Sequence, residues 1–156
     1  MKDIEYKKGD ATNPSGNGNK IIVHICNDIG GWGKGFVLAI SKRWKAPENS
    51  YRTWYRSKDN FHLGEVQFVQ VEQDLWIANL IGQHKINKAQ NGTVPIRYAA
   101  VEKGLKKVAD FARDINASVH MPRIGCGLAG GEWGMIEPII KETISKKDIN
   151  TTVYDF

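Results

Sequence analysis

The sequence predicts an α/β domain with a mixed central sheet and flanking helices. Three observations carry that expectation. Short β-rich runs alternate with helix-period runs along the chain. One pair of β-runs is joined only by Glu72-Gln73-Asp74, so at least one neighbour in the sheet is antiparallel. No repeat, low-complexity tract or linker interrupts the 156 residues, which fit a single domain spanning 1–156.

Ile4 to Lys8 reads as a short first strand and Lys20 to Cys26 as a buried second one, with the loop ATNPSGNGN between them. From Gly35 a helix carries Phe36, Val37, Ile40 and Trp44 on one face. Pro47 ends it and suits the first turn of another helix through Tyr51, Trp54 and Tyr55. Glu65 to Val71 and the run LWIANLI make the hairpin, and NKAQNGT is a loop. Tyr98, Val101, Leu105, Val108, Ala112 and Ile115 recur at steps of three and four, the clearest helix in the chain. Ser118 to Met121 is a strand, Ile136, Ile139, Ile140 and Ile144 mark the last helix, and TTVYDF closes as a strand.

Hydrophobic residues make up 41% and charged residues 25%, ordinary for a globular protein, and no apolar run is long enough to cross a bilayer. The N-terminus lacks the apolar core of an export signal, so the expectation is a cytoplasmic protein with no membrane partner. Cys26 and Cys126 stand far apart without a CxxC, and the histidines at 24, 62, 84 and 120 do not cluster; neither a metal site nor a disulfide is expected. Net charge is +5, which favours anionic partners, although the basic residues are scattered.

Two glycine-rich loops carry the chemistry: CNDIGGWGKGF from Cys26 to Phe36, and RIGCGLAGGEW from Arg123 to Trp133. Each lies between a strand and a helix. Glycine lets the backbone approach a ligand closely, and the helix start behind each loop offers free N–H groups to an anion. Neither loop has the spacing of a P-loop or of the GxGxxG fingerprint. Plain tight turns are the alternative reading.

Over essentially its whole length the chain resembles the macrodomain family. The resemblance rests on KGDAT at Lys8 to Thr12, HICNDIGGWGKGFVLAI, MPRIGCGLAGGEW and the terminal TVYDF. GCGL followed by tryptophan points to the branch of terminal ADP-ribose glycohydrolases and DNA ADP-ribosyl glycohydrolases. It implies a three-layer α/β/α fold and an ADP-ribose ligand or ADP-ribosylated partner, with no cofactor. Nucleic acid enters only as a modified substrate, and a monomer is expected.

The resemblance also implies roles for particular residues. Asp10 would accept from the adenine amine, helped by the Ala11 N–H. Gly31, Trp32, Gly33, Lys34 and Gly35, with Ile124, Gly125, Cys126, Gly127, Leu128, Ala129 and Gly130, would wrap the diphosphate and distal ribose. Asn27 would bond the distal ribose, Trp32 would cover it, and Trp133, Tyr154 and Phe156 would line the cleft.

The branch's catalytic lysine is missing, because Gln83 stands at its aligned position and an amide nitrogen is no nucleophile. Ala129 stands where an aspartate assists. Lys85 would reach the cleft only in a shifted register. Otherwise water would be activated by the substrate's diphosphate and Asn27, with Asp28 or Glu132 as the nearest carboxylates. The readings that follow are hydrolysis of a 1″-linked ADP-ribose derivative, a pure binding module, and a single-stranded RNA binder.

Overall fold

The run Lys20-Ile-Ile-Val-His-Ile-Cys alternates its side chains between two cores, as a strand covered on both faces must. Ile21 and Val23 enter one buried cluster; Ile22 and Cys26 enter the other. The structure, a computed structural model, describes residues 2–156. The elements are β1 (Glu5–Lys8), β2 (Asn19–Asn27), α1 (Phe36–Arg43), α2 (Ala46–Ser57), β3 (Val66–Glu72), β4 (Leu75–Gln83), α3 (Tyr98–Asp114), β5 (Ala117–Met121), α4 (Trp133–Thr143), a 3₁₀ turn Ser145–Lys147 and β6 (Thr151–Asp155).

The strands form one six-stranded sheet in the order β1-β6-β5-β2-β4-β3. Every pairing is parallel except β3 with β4, the hairpin expected from its short turn. One core lies between the sheet and α3 with α4, where Val101, Leu105, Val108, Ile136 and Ile140 are fully buried. Each such aliphatic side chain contributes about 1.5–3 kcal/mol on leaving water. The other core joins Ile40, Tyr51 and Trp32 to Ile22 and Ile77, beneath α1 and α2. The layers are therefore helix, sheet, helix.

One irregularity positions the site. The β2–β4 register slips between Cys26 and Asn27, so Asn27 lies opposite Gln83 rather than Gly82. A bulge of this kind re-aims the side chains that follow it. Both side chains sit at the strand ends, where β1, β2, β4, β5 and β6 all point their carboxyl termini the same way.

Candidate functional site

A cleft runs along the carboxyl ends of the parallel strands, the usual ligand position in an α/β sheet. It has three abutting compartments. The first, about 720 Å³, lies against Gly9–Thr12, Lys42, Arg43, Tyr154 and Phe156. The middle one, about 270 Å³, lies between Lys34–Val37 and Pro122–Ala129. The inner one, about 260 Å³, is lined by Cys26, Asn27, Gly31–Lys34, Gln83 and Ile86. Phe36 and Pro122 border both the first and the middle. Ile25, Lys34, Val37, Gln83 and Leu128 border both the middle and the inner, so the cleft is continuous.

In the first compartment Asp10 Oδ1 accepts from Thr12 N–H at 2.8 Å and from the Thr12 hydroxyl at 2.7 Å. Its Oδ2 faces Arg43 at 3.4 Å and keeps acceptor capacity. Burial works to raise the Asp10 pKa, but the Thr12 hydrogen bonds and the Arg43 guanidinium outweigh it and hold the carboxyl below its ordinary value. Tyr154 forms the floor, its hydroxyl accepting from Ser15 N–H at 3.0 Å and lying 2.8 Å from His120 Nδ1. Phe156 is fully exposed beside it.

The glycine loops face one another across the middle compartment. Gly35, at φ +84°, precedes α1, whose first turn has neither a side-chain cap nor an acidic residue. Leu38 N–H donates to Gly35 O at 3.1 Å, which leaves the Phe36 and Val37 N–H groups facing an anion. Opposite, the second loop closes on itself through Gly131 N–H to Gly125 O at 2.7 Å. A side chain at Gly127 would meet no protein atom within 4 Å, so that glycine borders free space in the cleft. Leu128 is 64% exposed. Arg123 is fixed by Asp155 at 2.6 and 3.1 Å. Lys34 borders the middle and inner compartments and forms no ion pair among the described residues.

In the inner compartment the Asn27 carboxamide organises its own loop. Its Oδ1 accepts from the N–H groups of Ile29 and Gly31 and from the Tyr51 hydroxyl, and Nδ2 donates to Gly31 O. One amide hydrogen remains for a ligand. Gln83 donates to Lys85 O at 2.9 Å while bordering the compartment. Trp32 does not stand over the cleft as a cover. It is 3% exposed, packed against His24 and Tyr51, and its indole donates to Ser41, so it supports the loop from beneath. Burial drives the His24 pKa down to about 4 against the opposing hydrogen bond to Asn79, consistent with a core histidine.

Several residues expected near the ligand lie elsewhere. Trp133 borders none of the three compartments; its indole donates to the Tyr6 hydroxyl and Arg123 lies over its ring. Glu132 is exposed at the start of α4, and Cys126 and Gly130 border none of the three compartments. Lys85 borders a separate outer groove. The Asp28 carboxylate binds His84 and the Lys85 N–H. Sequence reasoning missed Phe36, Pro122, Lys42 and Arg43 as cleft walls. Phe36 carried the best signal, standing directly behind the first glycine loop. Among the described residues no group of three His, Cys, Asp or Glu could hold a metal ion, and no helix is long and apolar enough to cross a membrane.

A mixed six-stranded sheet between two helical layers thus places one continuous cleft between two glycine-rich loops, at the carboxyl ends of the parallel strands. No family model matches the chain. Among solved structures, it superimposes with TM-score 0.99 and 62% identity on a Bacteroides thetaiotaomicron protein of unknown function, over 99% of both chains. It matches a macrodomain protein of Streptomyces coelicolor at 52% identity and TM-score 0.88, again over 99% of both. The chain belongs to the macrodomain family. Among curated proteins it is 34% identical over 98% of its length to the mouse chromodomain-helicase-DNA-binding protein 1-like, of which it spans only 18%. It is also 26% identical over 89% of its length to the ADP-ribose 1″-phosphate phosphatase of Candida albicans, of which it covers 92%.

Proposed function

We propose that the cleft binds ADP-ribose and that the protein hydrolyses a bond at the 1″ carbon of its distal ribose. The observation that carries this reading is the continuity of the three compartments between the two glycine loops. The first has room for an adenosine, with the Asp10 carboxylate able to accept from an exocyclic amine. The middle one presents the Phe36 and Val37 N–H groups at the start of α1 and glycine backbone, which suit a diphosphate. The inner one is small, and the carboxamides of Asn27 and Gln83 stand on its otherwise largely apolar wall, which suits a ribose. The phosphatase relative acts, by its name, on a 1″-linked derivative of this ligand.

In this reading Asn27 and the loop it organises orient the ribose, and the substrate's diphosphate helps to activate water. Gln83 holds the ribose without attacking it, since an amide has no nucleophilic nitrogen lone pair. Gln83 and Ala129 favour a second reading, a module that binds ADP-ribose without turnover. Calorimetric titration tests binding: ADP-ribose is expected at micromolar Kd, about −8 kcal/mol, with AMP far weaker. Equal affinity for AMP would sink the three-compartment reading. Product analysis on O-acetyl-ADP-ribose, ADP-ribose 1″-phosphate and an ADP-ribosylated peptide or base separates enzyme from binding module.

A further inference from the structure

Past the inner compartment a groove of about 740 Å³ is lined by Ile29, His84, Lys85, Ile86, Pro95 and Arg97, among others. Ile86 borders both this groove and the inner compartment, so a group attached at the 1″ position of a seated ribose leaves over Ile86 into the groove. At its edge stands a pair of side chains with no part in the binding just described. The Asp28 carboxylate lies 2.7 Å from His84 Nδ1 through Oδ2, while Oδ1 accepts the Lys85 N–H at 2.8 Å. The His84 ring borders the groove, half exposed, and its Nε2 has no partner among the described residues.

We propose that His84, oriented by Asp28, donates the proton that the leaving group needs, so that the outer groove is the leaving-group subsite. This rests on the hydrolase reading above. A carboxylate on Nδ1–H fixes the ring's orientation and leaves Nε2 as the nitrogen that transfers a proton. The loop does not require the imidazole for its own anchorage. Lys85 N–H to Asp28 and His84 N–H to Pro95 O at 2.8 Å already hold it.

The step balances. The bond from C1″ to the departing oxygen breaks, its electron pair stays on that oxygen, and the His84 Nε2 proton joins it. Water adds to C1″ and releases one proton, which restores the imidazolium through solvent. The net change is one water consumed and two hydroxyl products.

Such help matters in proportion to the basicity of the departing oxygen. The test compares phenyl and 4-nitrophenyl ADP-ribose, alike in shape but unequal as leaving groups, on wild type, H84Q and D28N. On the phenyl substrate H84Q is expected to lose roughly 100-fold in kcat, and on the nitrophenyl substrate less than about threefold. D28N should show the same asymmetry to a smaller degree, with ADP-ribose affinity unchanged in both variants. An equal loss on both substrates, no loss on either, or weakened ADP-ribose binding by H84Q would each overturn the assignment. A wild type that binds ADP-ribose but turns over neither substrate overturns the hydrolase reading and this inference with it. A wild type that H84Q matches on both overturns this inference alone.

Discussion

Two glycines in one loop serve opposite purposes, and substitution separates them. A side chain on Gly127 would enter free cleft space, whereas one on Gly131 would lie 2.5 Å from the Gly125 carbonyl oxygen. Gly127→Val should therefore fold normally while weakening ADP-ribose by on the order of 1–3 kcal/mol through lost room. Gly131→Val should lower stability by a similar amount, because it forces open the turn that Gly131 N–H closes. Thermal melts and titration of both variants read the contrast, and a Gly127→Val protein that binds normally would return the loop to a plain turn. His84 is the residue that sequence reading passed over. Its partner is a carboxylate 56 positions away, so comparing the histidines only with one another could not find it.

At the scale of elements, the strands and helices were legible because their periodicities are undisturbed by function. The Ile21–Ile22–Val23 alternation and the α3 apolar stripe each lead directly to a buried face. Register was less legible. The slip between Cys26 and Asn27 sets Asn27 opposite Gln83 rather than Gly82, which no local propensity encodes. Lys85 takes a left-handed φ of +59° and turns to the outer groove. Gly104 lies inside α3, where glycine disfavours the helix relative to alanine. In the fold it is the contact that lets the helix press on β4, since a Cβ there would lie 2.4 Å from Leu80 Cγ. Gly104→Val should cost about 1–3 kcal/mol by overpacking, or roughly 2–4 °C of Tm per kcal/mol for a domain of this size. A melt within a degree of wild type would mean that the Leu80 side chain yields freely.

The whole molecule carries two buried histidines whose protonation opposes folding. Burial lowers both His24 and His120 from 6.5 to about 4, and for His120 the nearby Lys20 and Lys7 charges add to the effect. Between those values the unfolded chain binds protons that the folded one does not, so stability falls as pH drops from about 6.5 towards 4. The slope approaches 1.4 kcal/mol per pH unit for each histidine. Asp10, Glu65 and Asp155 are held below their ordinary values, so their contribution is present above about pH 4.5 and declines only below it. Urea midpoints at pH 7 and pH 5 should show the decline, and His120→Asn should flatten it; a midpoint independent of pH would contradict the burial of both rings. The outer groove has its own consequence at this scale. Apart from Ile29, its walls come from a single surface segment, residues 84–97, which the bonds at Asp28 and Gly82 fasten to the frame. That segment enters the core through Ile96, whose N–H donates to Ala129 O at 3.0 Å, so the groove wall and the second glycine loop are tied together.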